Sequence, residues 1–147
     1  MIKSIKYYVF ALLVLVSSCS GRGNKIGVVI NNKRFNFELS ATSEQRKAGL
    51  MYRKELEKDG GMLFVFPGEM PLHFYMHNTI IPLDIAFINS NREIVDIKQM
   101  KPLDLTTISS SKPALMALEV NRGFFDRHKI QVGDKIELQQ AVPYIVE

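Results

Sequence analysis

Cysteine is almost missing from this chain. Cys19 is the single cysteine in 147 residues, so no disulfide can form within it and its stability has to come from packing. Charge of one sign is missing too: 19 basic residues face 15 acidic ones, well dispersed, which argues against nucleic acid as a partner. The longest apolar run near the N-terminus, Tyr7 to Val16, falls well short of the roughly 20 residues that a membrane-spanning helix needs. After the first 25 residues there is no Gly-rich phosphate loop, internal repeat or low-complexity segment, and no serine sits in a nucleophile elbow. Covalent catalysis therefore has no visible actor.

What is present at the N-terminus is a leader pattern. Lys3 and Lys6 form a positive region, the apolar run follows, and Val16-Ser17-Ser18-Cys19 resembles the lipobox of a bacterial lipoprotein. The expected organisation is a signal peptide over 1–18, a flexible tether over 19–25 and one β-rich domain over 26–147. Lipid on Cys19 then makes the membrane a partner, because each buried methylene contributes about 0.8 kcal/mol and more than one acyl chain gives stable attachment. The expected location is the cell envelope, facing the periplasm. Ser20, where Asp would mark inner-membrane retention, favours the outer membrane over the inner.

The remaining chain reads as short strands separated by turns. Ile26–Ile30 and Lys33–Leu39 flank Asn31-Asn32, a pair that tolerates positive φ, and together predict a β-hairpin. Thr42 with Gln45 three residues on predicts a capped helix from Ser43 that ends near Gly49. Met62–Phe66 is a continuous apolar run, as in a strand buried on both faces, and Pro67-Gly68 is expected to stop it. Leu72–His77, Asp84–Asn89, Glu93–Met100, Leu115–Val120 and Lys135–Leu138 complete the strands. Lys101–Lys112 reads as irregular, and Phe124–His128 as a second helical turn. The fold class is mainly β, a single compact sandwich, jelly-roll-like or barrel domain with one short helix.

Six segments occur in a characteristic order: Gly49-Leu50-Met51-Tyr52-Arg53, Gly61-Met62-Leu63-Phe64-Val65-Phe66, Tyr75-Met76-His77-Asn78-Thr79, Pro82-Leu83-Asp84-Ile85-Ala86-Phe87-Ile88, Ala117-Leu118-Glu119-Val120 and Gly133-Asp134. This set resembles the family known as domain of unknown function 192, over roughly Val28 to Leu138. The resemblance implies a compact β-rich domain with a small helix and implies no activity. The chain differs from the common pattern in carrying Tyr75 for a frequent Trp and His77 for a frequent Lys.

The chemistry-bearing residues cluster in these segments. Arg53 could clamp a carboxylate or phosphate, or pin the helix to the sheet through Asp84 or Glu119. His77, Asn78 and Thr79 form the most polar point among apolar strands, next to the aromatic Tyr75. Asp84 and Glu119 lie in apolar runs, where a carboxylate needs a partner or serves as an acid–base group. His73 and His77 would be about 13 Å apart along a strand, too far for one ion, so no metal is expected, and no cofactor is implied. The leading expectation is a binding module with a cleft near Arg53, Tyr75, His77, Asn78, Thr79, Asp84 and Glu119. Its ligand would be a small polar molecule, a glycan or part of an envelope protein. A hydrolase using a carboxylate base and a purely structural envelope module are the alternatives.

Overall fold

The computed structural model describes residues 24–142. The expected signal peptide, the lipidation residue Cys19 and most of the tether fall outside this range.

The hairpin forms as its turn residues dictate. Strand β1 (Lys25–Ile30) and strand β2 (Lys33–Ser40) are joined by Asn31 and Asn32, both left-handed at φ 49° and 62°. Two such residues match the right-handed twist of the flanking strands. Helix α1 (Ser43–Ala48) carries the full capping box: the Gln45 amide donates to Thr42 Oγ1, and Gln45 Oε1 accepts from the Thr42 amide. It is the crossover that lets β2 lie parallel to β3 (Gly61–Met70), the one parallel pairing in the sheet.

Strands β5 (Leu83–Ile88), β6 (Ile94–Met100), β8 (Ala114–Asn121) and β9 (Ile136–Leu138) complete a seven-stranded sheet, ordered β6-β5-β8-β3-β2-β1-β9. The sheet curls until its two edges meet at one end. Glu93, beside β6, bridges Lys135, beside β9, and the Ile94 amide donates to the Asp134 carbonyl at 2.9 Å. Curling hides edge backbone that would otherwise stand unpaired. Inside the curl lie Ile26, Val28, Ile30, Phe37, Leu63, Leu118 and Val120, plugged by Phe124 and Phe125 of helix α2 (Phe124–His128).

A second core covers the outer face of the three central strands. Met62 and Phe64 of β3, Ile85 and Phe87 of β5 and Ala117 of β8 pack under Leu50, Leu72, Phe74, Met76 and Ile81. Burial on both faces explains why β3, β5 and β8 read as unbroken apolar runs instead of alternating. Over this face runs a two-stranded ribbon, β4 (His73–Phe74) with β7 (Ile108–Ser109).

Two strand expectations change. Pro67-Gly68 does not end β3, which continues to Met70; the register with β8 shifts between Val65 and Met70, so Pro67 supplies no ladder amide. The strand expected over Leu72–His77 shrinks to His73–Phe74, because the chain turns at Met76–Thr79 with Asn78 left-handed at φ 52°. Its partner β7 lies in the stretch expected to be irregular; two residues are too few for a readable alternation.

Candidate functional site

A cleft of about 250 Å³ opens between α1, β3, the ribbon and β8. Its floor is buried: Leu50, Phe64, Phe74, Thr79 and Glu119 are all under a tenth exposed. Its mouth is exposed, with Lys47 on one side and His73 and Tyr75 on the other. The aromatic wall is closely packed. Phe64 and Phe66 both meet Phe74 edge-on, at centroid distances of 5.2 and 6.2 Å. Arg46 lies across the Phe66 ring at 5.2 Å, and its Nη1 donates to the carbonyls of Ala41 and Val65. It thereby ties α1 to β3.

Glu119 sits at the floor for a reason set by register. It pairs with Met62 on β3 and with Ile85 on β5, so its side chain shares their outer face. It is 6 % exposed, and no described side chain or amide donates a hydrogen bond or a positive charge to its carboxyl. Burial alone pushes this carboxyl up to about 8, so it is protonated at neutral pH. Ser40, opposite Phe64 on the same face, also has a buried hydroxyl with no hydrogen-bond partner. Folded proteins pair nearly all buried polar groups, so the two stand out on this face of the sheet.

Asp84 does not join Glu119. It pairs with Val120, one residue further along β8, and therefore faces the inside of the curl. Its Oδ2 accepts from the Gly123 amide at 2.7 Å, and Arg122 Nε lies 3.3 Å from Oδ1 while its N–H is directed to the Leu83 carbonyl. The Arg122 contact is thus Coulombic more than a hydrogen bond. Burial raises the Asp84 carboxyl, opposed by the Gly123 amide and Arg122. Asp84 anchors the turn into α2, and the expected acid–base pair has no common site.

Arg53 pairs with neither expected acid. It grips Glu38 of β2 bidentately, Nη1 to Oε1 at 3.0 Å and Nη2 to Oε2 at 2.6 Å. This pair lines a separate, charged groove with Glu55, Glu57 and Lys25. Sequence reasoning missed Glu38 because it alternates with Phe37 and Leu39 as an ordinary outward residue; only the crossover of α1 brings Arg53 over it.

His77 and Asn78 lie beside the cleft and outside its lining. Asn78 Nδ2 donates to the Tyr52 hydroxyl at 2.7 Å, and the Tyr52 amide donates to the Asn78 carbonyl at 2.8 Å. Thr79 closes the turn by donating to the His77 carbonyl at 3.1 Å. Of the seven expected residues, Tyr75, Thr79 and Glu119 line the cleft, and Arg53, His77, Asn78 and Asp84 do not. Phe64, Phe74 and Lys47 line it without having been singled out; their sequence signals were those of an ordinary core and a solvated helix face. Among the described residues, no three His, Cys, Asp or Glu side chains are grouped as metal ligands, and no helix is long and apolar enough to cross a membrane.

Over the described residues, fold and site together define a mainly β protein with a curled sheet and a half-apolar cleft on its outer face. The profile of the family DUF192, described as an uncharacterized ACR, matches residues 26–138, and the chain belongs to that family. It is similar to a UPF0127 protein of Pyrococcus furiosus, 30% identical over 100 residues, covering 67% of this chain and 82% of that one. A UPF0127 protein of Thermococcus sibiricus is 26% identical over 117 residues, covering 75% and 73%. Two crystal structures share the fold. One, from Sinorhizobium meliloti and provisionally described as a transcription regulator, has TM-score 0.75 and 34% identity, covering 79% of this chain and 95% of that one. The other, a protein of unknown function from Novosphingobium aromaticivorans, has TM-score 0.74 and 34% identity, covering 92% and 99%.

Proposed function

We propose that this DUF192 domain is a binding module, held at the envelope by lipid on Cys19, whose outer-face cleft receives a small ligand. The observation that carries the binding reading is Glu119: a carboxyl under a tenth exposed, unpaired, and directed into an aromatic-walled cleft. An unpaired polar group in such a place costs stability, of the order of 1–3 kcal/mol, and a hydrogen-bonding ligand removes that cost. The cleft lies at the small end of ligand sites, which favours a compact molecule over a glycan chain. His73, the imidazole in the lining, is hydrogen-bonded to Ser109 Oγ at 2.7 Å and not to Glu119, which supports binding above hydrolysis.

The test is a protein-observed NMR fragment screen. Binders should shift the amides of Gly49, Phe64 and Ala117, and a folded Glu119→Leu protein should lose them. Hits that leave those amides unmoved count against the cleft. The anchor is tested separately: Cys19→Ser should abolish a globomycin-sensitive mobility shift and release the protein from membranes.

Exposed Tyr52, Ile80, Leu103 and Leu105 favour a second reading, a segment of an envelope protein docked on the loops beside the cleft. These loops are held together by the Leu103 amide on Thr79 and the Met76 amide on Asp104. A Leu103→Asp, Leu105→Asp protein that loses a pull-down partner yet still binds fragments would identify that surface.

A further inference from the structure

The charge pattern of the cleft names the class of molecule that fits it, granted that the cleft is a binding site as argued above. Its two permanently cationic lining residues, Arg46 and Lys47, are both on the last turn of α1, with His73 also at the mouth, and its single acid, Glu119, lies on the buried floor. Lys47 is exposed at the mouth, whereas Arg46 is partly buried and committed to two carbonyls and the Phe66 ring. The rest of the buried lining is mostly apolar, with Leu50, Phe64 and Phe74 beside Thr79. The cleft therefore offers positive charge outside, an aromatic wall in the middle and a neutral hydrogen-bonding group inside.

An amine fits this arrangement poorly. At the mouth it meets like charge. At the floor it would have to ionise Glu119, and a buried ion pair there recovers its desolvation cost only with further hydrogen bonds, whereas burial is the one influence now acting on that carboxyl. An uncharged molecule fits but gains nothing from Lys47.

We propose that the cleft takes a small organic acid: its carboxylate at the mouth beside Lys47, a flat apolar body against Phe64 and Phe74, and a hydroxyl or carbonyl oxygen at the far end hydrogen-bonded to Glu119. A hydroxyl there both donates to and accepts from a protonated carboxyl, which has one O–H donor and a free carbonyl acceptor.

Four probes of one shape separate the parts: 4-hydroxyphenylacetate, 4-hydroxyphenylacetamide, tyramine and phenylacetate. Affinities are read at low salt by titrating the cleft amides of the full chain in mild detergent. The acid should bind roughly tenfold tighter than the amide, the scale of one close charge pair at a surface, and tyramine should bind weakest. Loss of the ring hydroxyl, in phenylacetate, should cost about fivefold. Lys47→Glu should bring tyramine above the acid, and 0.5 M salt should erase most of the preference for the acid. Tyramine binding as tightly as the acid, or acid and amide binding equally, overturns the assignment while leaving the cleft a binding site. If none of the four moves a cleft amide, the assignment and the binding reading both fall.

Discussion

Replacing Glu119 by glutamine removes an ionisable group from a place where only its neutral form is tolerated, and the consequence has a specific pH signature. Below pH 4.5, the ordinary value for a glutamate, both folded and unfolded chains carry the proton, so ionisation separates wild type from Glu119→Gln by nothing. Above that pH the unfolded carboxyl ionises and the folded one does not, because burial holds it up to about 8. Wild type then loses about 1.4 kcal/mol of stability per pH unit relative to the variant. The loss levels off near pH 8 at ~5 kcal/mol, and at pH 7.5 it is ~4 kcal/mol. Glutamine is nearly isosteric and differs by an amide donor, which adds a constant offset at every pH. The slope is therefore the quantity to measure. Urea unfolding of both proteins at half-unit steps from pH 4 to 9 gives it directly. Other titrating groups cancel in the difference; Asp84 in particular faces the other side of the sheet. A stability difference flat across this range would refute the reasoning, since it would mean that the carboxylate finds a partner or water in solution. A ligand that hydrogen-bonds protonated Glu119 should weaken as pH rises through 8, and Glu119→Gln should remove that dependence.

Three further perturbations probe the framework. Gly61→Ala puts a Cβ against the Glu119 backbone oxygen and 2.8 Å from Val120 Cγ1, so it should cost about 3 kcal/mol in urea unfolding or prevent folding altogether. An unchanged midpoint would mean that β3 and β8 are spaced more loosely. Asp84→Ala leaves the Gly123 amide without its acceptor and should cost ~2 kcal/mol, with Asp84→Asn, which retains an acceptor oxygen, costing less; equal losses would assign the role to charge alone. A double-mutant cycle on Arg53→Ala and Glu38→Ala should give a coupling of about 1 kcal/mol that shrinks in salt, because the pair is bidentate but partly exposed, and neither change should alter fragment binding in the cleft.

The elements that local chemistry controls could be read without coordinates. Asn31-Asn32 carry their own backbone preference, and Thr42 with Gln45 caps a helix through groups three residues apart, so hairpin and helix appear where expected. The unbroken runs of β3, β5 and β8 announce strands buried on both sides. Glu119 was visible as a carboxyl in an apolar run. Arg53 was misassigned because its partner is chosen by where a crossover lands, and nothing within a few residues of either side chain encodes that.

Composition and short-range pattern therefore determined the fold class, the strands of the main sheet apart from their ends, the helix cap and the absence of disulfides, all of which depend on neighbours close along the chain. Tertiary structure alone decided which face each acid sees. Asp84 and Val120 pair while Glu119 pairs with Ile85, and that offset of one residue sends the two carboxyls to opposite sides of the sheet. One becomes a support for a turn and the other the floor of a cleft, because register between strands 30 residues apart is fixed by packing of the whole domain and by no local signal.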